Sequence, residues 1–241
     1  MRTSKNRIMK KLVVLTGAGM SAESGISTFR DAGGLWEQHR VEDVATPQGW
    51  LRNPALVLDF YNQRRKQLLE SKPNAGHLAL VDLEKYFEVQ IITQNVDNLH
   101  EQAGSSHVLH LHGELMKVRS SGPGEEVFKL TPDNYETHMG DKCPKGFQLR
   151  PHIVWFGEAV PEIENAIRFT EKADILIVIG TSMQVYPAAS LINYVKPNVS
   201  VYLIDPHEVN MYSKNVTVIQ KGASEGMAEL KNLLTSPLVN L

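Results

Sequence analysis

Three histidines fall close together in "HVLHLHGELMK", at His107, His110 and His112. Imidazole serves as a metal ligand, a general base or a buried hydrogen-bonding group, and spacing narrows the choice. On a strand His110 and His112 share one face while His107 points the other way, so a zinc site built from all three fits poorly. A ring with an unperturbed pKa of about 6.5 is mostly neutral at pH 7 and ready to accept a proton. His107 and His110 read as surface or structural residues. Upstream, "TQNVDNLH" closes an apolar run with Gln94, Asn95 and Asp97, a polar strand end suited to capping.

A glycine turn adds a second chemistry. "VVLTGAGMSAESG" sets Gly17, Gly19 and Ala22 in G-x-G-x-x-G/A spacing after an apolar run. Such a turn lets the backbone approach a pyrophosphate, and the helix that follows supplies N–H donors and positive potential. The same spacing also makes a plain strand-to-helix turn. A dinucleotide reading wants an acid about 20 residues on. Glu37 sits there, in "GGLWEQ", which does not end a strand. Asp205 does end one, in "VYLIDP", and is the better candidate for a ribose hydroxyl.

The elements that must position these groups are legible as short β-branched runs. "KKLVVLTGAG", "FEVQIITQNVD", "ADILIVIGTS" and "VSVYLIDP" each stop at a polar or glycine corner. Helical patterns lie between them: "NPALVLDFYNQRRKQLLE", which opens on an Asn cap and a Pro, then "NAGHLALVDLEKYF", "PEIENAIRFTEKA" and the closing "SEGMAELKNLL". The alternation predicts an α/β fold, a Rossmann-like doubly wound parallel sheet with ligands at the carboxyl ends of its strands. Residues 32–75, mainly helical, and 116–150, irregular and rich in turn signals, break the pattern. They are expected to be insertions that form a smaller lobe. Residues 1–31, 76–115 and 151–241 are then left to the nucleotide-binding domain, with a cleft between the two.

A formal net charge of -2 argues against bulk electrostatic binding to nucleic acid. No apolar run is long enough to span a bilayer, and the basic start leads into a strand rather than a signal peptide. The cytoplasm is the expected location. The single cysteine, Cys143, excludes an intrachain disulfide and a zinc site of several thiolates.

The stretch "GAGMSAESGISTFRDAGGLW" closely resembles the NAD-binding signature of the sirtuin family. "TQNVDNLH" at 93–100, "HLHGEL" at 110–115, "RPHIVWFGE" at 150–158 and "IGTSMQVYPAA" at 179–189 match further family blocks in order. The resemblance runs from about residue 11 to residue 230. It implies an enzyme that consumes NAD to remove acyl groups from lysine. In that chemistry the acyl oxygen attacks C1′ of the nicotinamide ribose, nicotinamide leaves and an alkylimidate forms. A histidine takes a proton from the ribose hydroxyls, the 2′-oxygen attacks the imidate, and water releases lysine and 2′-O-acyl-ADP-ribose.

By position His112 matches that base. Gly17, Ala18, Gly19, Ser21 and Glu23 match the phosphate-side loop, and Phe29, Arg30 and Trp36 the cofactor loop that shields the ribose. Gln94, Asn95 and Asp97 match the nicotinamide pocket. There an amide offers paired donors and acceptors, and a carboxylate accepts from a carboxamide N–H. Gly180, Thr181, Ser182 and Ala223 match the adenosine side. Asp205 stands where the family usually has Asn, and His207 replaces the acid two residues later, although Asp still accepts from hydroxyls. Val154, Trp155, Phe156, Gly157 and Glu158 match the acyl-lysine channel and peptide-docking strand, with Val185 opposite. A peptide would add there through backbone hydrogen bonds. Without the resemblance, Trp155 and Phe156 read as core packing.

Tyr61 and Arg64 are three apart and share a helix face. They resemble the pair that contacts the carboxylate of succinyl- or malonyl-lysine in class III sirtuins, and Ala45 matches a small residue that leaves room for the longer chain. An arginine fork suits a carboxylate. Charge pattern alone makes Arg64, Arg65 and Lys66 a solvated basic face. The expected activity is therefore deacetylation together with desuccinylation or demalonylation, on a monomer that engages acylated lysine and neither nucleic acid nor membrane.

Most sirtuins carry four zinc cysteines between the catalytic histidine and the "RPH" block; this chain has Cys143 alone. His138, Asp141 and His152 complete no known zinc spacing with it. A metal-free module packed by Val127, Phe128, Leu130 and Phe147 is expected instead. The rival readings are a mono-ADP-ribosyltransferase and a non-catalytic NAD-sensing module. A nicotinamide-dependent dehydrogenase lacks a clear hydride-transfer site.

Overall fold

Alternation inside the first strand builds two cores. The structure, a computed structural model, describes residues 9–26, 39–181, 188–208 and 215–236. In β1 (Lys11–Thr16), Leu12 and Val14 pack on one face and Val13 and Leu15 on the other. The strands β2 (Glu88–Thr93), β3 (Val108–His110), β7 (Ile175–Ile179), β8 (Ser200–Ile204) and β9 (Val216–Ile219) join it in the order β3-β2-β1-β7-β8-β9, all parallel. The helices are α1 (Gly19–Ala22), α2 (Val41–Val44), α3 (Pro47–Arg52), α4 (Pro54–Glu70), α5 (Ala75–Leu83), α6 (Leu99–Ala103), α7 (Ile163–Thr170) and α8 (Ala223–Thr235). α5 and α8 cover one face of the sheet. α7 and a 3₁₀ turn, Ala188–Tyr194, cover the other. Two covered faces explain why "ILIVI" in β7 is apolar at every position.

The strand order reverses between β1 and β7, and the crevice at such a reversal is where doubly wound sheets take ligands. A second, antiparallel sheet runs β5-β4-β6, from β4 (Gly113–Ser120), β5 (Val127–Lys129) and β6 (Leu149–Ile153). α4 starts as its sequence demands: Asn53 Oδ1 accepts the Leu56 N–H at 3.1 Å and Pro54 fills the first turn. Its Val57, Phe60, Tyr61 and Leu68 form a third core with Leu115, Ile153 and Trp155.

Four expectations change here. "HVLHLHGELMK" is not one strand, because β3 ends at His110 and β4 begins at Gly113. Gly113 has φ 80, and a Cβ there would lie 2.0 Å from the His152 carbonyl oxygen, so the chain turns sharply as it passes from one sheet to the next. Residues 116–150 are not irregular throughout, since β4 and β5 pair within them.

The packing expected of the small sheet is found only in part: Phe128 and Leu130 are half-buried, while Val127 and Phe147 are 45% and 41% exposed. Polar groups also hold the module. Arg65 is buried rather than part of a solvated face; its Nε donates to the Leu115 carbonyl at 2.8 Å and its Nη1 to Asn62 Oδ1 at 2.8 Å. Asn62 in turn exchanges two hydrogen bonds, both 3.0 Å, with the backbone of Thr137. Arg150 grips Glu158 at 2.9 and 3.1 Å, and Arg119 reaches the same carboxylate at 3.1 Å.

Candidate active site

The glycines after β1 and β7 interlock. A Cβ on Gly17 would lie 2.7 Å from the Gly180 carbonyl oxygen, and one on Gly180 would lie 2.5 Å from the Gly19 backbone. Gly180 also has φ 58, a conformation costly for other residues. Hydrogen bonds from Gly17 N to Ile179 O and from Gly19 N to Gly180 O, 3.0 and 2.9 Å, seal the two loops together. Glycine at these positions lets the two loops pack backbone against backbone over the sheet reversal.

Ser21, Asn95 and Asp97 meet beside it, all buried. The Ser21 hydroxyl donates to Asp97 Oδ2 at 3.0 Å. Asn95 Nδ2 donates to the Gly17 carbonyl at 3.0 Å and to Ser21 Oγ at 3.1 Å. The Asn95 amide donors are thus committed inside the protein, and its Oδ1 is the atom that can face a ligand. Asp97 Oδ1 accepts from the Leu99 N–H at 3.1 Å. Burial raises the Asp97 pKa, and the hydrogen bonds from Leu99 and Ser21 oppose it.

His112 lies in the crossing between the two sheets. Its Nδ1 is 3.0 Å from the Gln94 carbonyl, an acceptor, so Nδ1 carries the proton and Nε2 the lone pair. Burial lowers its pKa, which keeps the ring neutral at pH 7. Gln94 Nε2 donates to Thr181 Oγ1 at 3.0 Å and ties this segment to the end of β7. The Val154 N–H donates to the His112 carbonyl at 3.0 Å, which sets the segment expected to dock a peptide directly beside His112. Beneath, a buried polar chain runs from the Asn95 N–H to Thr93 Oγ1 and Thr16 Oγ1, then to His100 Nε2 at 3.1 Å. The His77 ring lies 4.8 Å from His100.

The wall toward α4 is aromatic. Trp155 is buried between Trp50 and the Arg150 guanidinium, and its Nε1 donates to the Tyr61 hydroxyl at 3.1 Å. That bond leaves the Tyr61 O–H proton for another acceptor. Arg64 is half-buried, 5.9 Å from the Tyr61 ring, with Asp97 near enough to act on its charge. Ala45 is buried, and its carbonyl accepts the Phe156 N–H at 3.0 Å.

The sequence model of the Sir2 family matches residues 17–187. An NAD-dependent protein deacylase of Bacteroides thetaiotaomicron is 65% identical over 230 residues, which are 94% of this chain and 98% of that one. An NAD-dependent protein deacylase of Helicobacter pylori is 54% identical, over 92% of this chain and 96% of its own. The solved structure of a Sir2 homolog–NAD complex superposes with a TM-score of 0.85 at 40% identity, covering 95% of this chain and 91% of that one.

The chain belongs to the Sir2 family.

Within that Sir2 frame the expected residues separate into groups. Gly17, Ala18, Gly19, Ser21, Gln94, Asn95, Asp97, His112, Gly180 and Thr181 lie along one rim, at the ends of β1, β2 and β7 or in the crossing to β4. Glu23 turns its carboxylate to the Ser224 N–H at 3.1 Å, at the start of α8, and the Ala223 side chain is buried in the core. Any contact these two make with a nucleotide runs through the local backbone or a rearranged carboxylate. Asp205 Oδ1 accepts the His207 N–H at 2.9 Å. Glu158 is spent on Arg119, Arg150 and the Trp155 N–H, and Gly157 sits at an open turn with φ 92. Phe29, Arg30, Trp36, Ser182 and Val185 lie outside the described residues.

Cys143 is buried with its sulfur 3.4 Å from Ser120 Oγ. Among the described residues no three His, Cys, Asp or Glu side chains converge as a metal would require. Sequence reasoning missed the supporting side chains: Thr16, Thr93, His77, His100 and the His110–Glu101 pair. "TQNVDNLH" does contain His100, but nothing in its spacing tells a floor residue from a surface one.

Proposed function

We propose that this chain is an NAD-dependent protein-lysine deacylase in which His112 acts as the general base. The observation that carries the reading is His112 itself. It is a neutral ring, its tautomer fixed by the Gln94 carbonyl, set between the Ser21–Asn95–Asp97 cluster and Val154. The named activity of its close relatives and the NAD bound to a solved homologue support the same assignment. NAD supplies the electrophilic ribose carbon and the leaving nicotinamide. The chain's own groups bind and orient it: the glycine surface takes the phosphates, Asn95 Oδ1 and Asp97 the nicotinamide side, and His112 Nε2 takes a ribose hydroxyl proton. Residues 32–75 and 116–150 make up the smaller lobe in this reading, and the acylated lysine of a protein or peptide enters between the lobes along Val154–Phe156.

Tyr61 and Arg64 extend the reading to acyl chains that end in a carboxylate. The Tyr61 hydroxyl is preset by Trp155 with its proton available, and a half-buried guanidinium lies beside it. An arginine fork desolvated in this way binds a carboxylate strongly. Mass spectrometry of products from NAD with acetyl- and succinyl-lysine peptides tests both levels. O-acyl-ADP-ribose is expected from both peptides and from neither with His112→Ala. Arg64→Met should spare deacetylation and cut desuccinylation about tenfold or more. A peptide that gains ADP-ribose would overturn the deacylase reading; equal losses on both peptides would overturn the role of Arg64.

A further inference from the structure

The geometry around His110 fixes its charge. Its Nδ1 lies 3.1 Å from the Asn95 carbonyl oxygen and its Nε2 2.8 Å from Glu101 Oε1. A carbonyl oxygen accepts and an ionised carboxylate accepts, so both ring nitrogens must donate. A neutral imidazole has one N–H; two donations make this ring an imidazolium. Its surroundings agree. Burial works against the charge, but the Glu101 bond and charge, the Glu114 charge and the Asn95 carbonyl outweigh it and raise the His110 pKa. Burial likewise works against the Glu101 carboxylate, and its bond to the ring keeps it ionised. The charged and titratable groups that face the ring are Glu101 and the neutral His100 from α6, Glu114 and Lys117 from β4, and Asp97 from the loop after β2. Lys117 is itself paired with Glu114.

Two rings thus clamp two successive carbonyls. His112 holds that of Gln94 and His110 that of Asn95, the first as a neutral base and the second as a cation. The Asn95 peptide is the backbone from which the Asn95 side chain reaches Gly17 and Ser21.

We propose that His110 is a positioning residue: its imidazolium, anchored on Glu101, holds the Asn95 carbonyl and so keeps the Asn95–Asp97 turn in the geometry that receives the nicotinamide end of NAD. The proposal rests on the NAD-dependent reading above. A deprotonated ring has one N–H for two acceptors and must release one of them. NAD affinity is then lost as pH rises through the His110 pKa, while His112 stays neutral and competent throughout.

Two measurements on the full chain test this: histidine-ring nitrogen NMR against pH, and NAD binding by calorimetry against pH. Both nitrogens of His110 should be protonated at pH 7, and the ring should titrate above the ordinary histidine range. Glu101→Gln should lower that midpoint and carry the alkaline limb of NAD affinity down with it, weakening Kd roughly tenfold at pH 8. His110→Gln, which cannot titrate, should bind NAD more weakly and show no such limb. A neutral ring at pH 7 in a chain that binds NAD would overturn the role alone. So would a Glu101→Gln variant whose ring midpoint moves while its affinity profile does not. Failure of the wild type to bind NAD at any pH would overturn the functional reading and this role with it.

Discussion

His112 shows how little a residue's chemistry depends on its type alone. Of the histidines in "HVLHLHGELMK", one is exposed, one lies between a carbonyl and a carboxylate, and one rests on a carbonyl with its other nitrogen left over; the roles proposed for them follow from those partners. Replacing His112 with Ala should lower the deacylation rate by about 10²–10⁴-fold while NAD binding persists, which single-turnover assays and calorimetry would separate. Because burial lowers its pKa, the acid limb of the rate should lie below the ordinary histidine range; a limb above it would mean the ring is charged in the resting protein. His77 makes a prediction about stability. It is fully buried, its Nδ1 accepts the Asn74 N–H at 3.3 Å, and burial pushes its pKa down to about 4. Between pH 6.5 and 4 the unfolded chain takes up a proton that the folded chain refuses, so stability is full above the unfolded pKa and falls as pH drops. The loss on approaching pH 4 is on the order of 3 kcal/mol. Urea unfolding across that window should show the slope, and His77→Gln should flatten it. An unchanged slope would assign acid sensitivity to other groups.

Among the elements, the site depends on where chain segments touch. Gly180→Ala must move the loop after β7 away from Gly19, since its Cβ would meet backbone at 2.5 Å and its φ is 58. A cost of about 1–3 kcal/mol and a large loss of NAD affinity are expected, checked by thermal melting and calorimetry. Glu158→Ala should cost about 2–4 kcal/mol, because Arg119 and Arg150 would be left mutually repelling in a mostly buried site. Denaturant unfolding would show this, and a near-neutral result would mean that solvent already screens the pair. The sequence made the large sheet legible because β1, β2, β7 and β8 are apolar runs with glycine or polar ends. The same reading missed β5, β6 and β9, and it ran β3 and the start of β4 together although Glu, Lys and Arg interrupt the apolar pattern of "GELMKVRS". Period-two patterning needs length and clean alternation to be seen; β3 and β5 have three residues each, and β4, though eight long, carries Arg119 and Ser120 among its buried positions. Part of the small sheet's anchoring comes from Arg65, Asn62 and Glu158, whose bonds to Leu115, Thr137 and Arg119 span 39 to 75 residues of sequence. The motif residues were legible as a set through family blocks; their hydrogen-bond partners were not, because a side chain such as Glu101 gains meaning only when α6 packs beside β3.

For the whole molecule, ligand and metal should act differently on stability. The site draws on loops from β1, β2 and β7 and on the crossing into β4, so a ligand that bridges them binds the folded chain and not the unfolded one. NAD at about 100 times its Kd should add about 2.7 kcal/mol, a rise in Tm of roughly 5–10 °C for a chain of this size. The small sheet, by contrast, is tied to α4 by Arg65 and internally by two arginines on one carboxylate, none of which a chelator can remove. Chelator washing should leave Tm and turnover unchanged and yield no stoichiometric zinc by elemental analysis. A fall in Tm on chelation would mean that Cys143 and its neighbours hold a metal after all. The variants divide the same way. His112→Ala gives up the ring and its bond to the Gln94 carbonyl but leaves the interlocked glycine loops in place and should retain most of the NAD-induced rise, whereas Gly180→Ala disrupts those loops and should lose it. If both variants kept the full rise, the phosphates would not be lying on the glycine surface, and the nucleotide would have to be held by the lobe rather than by the sheet.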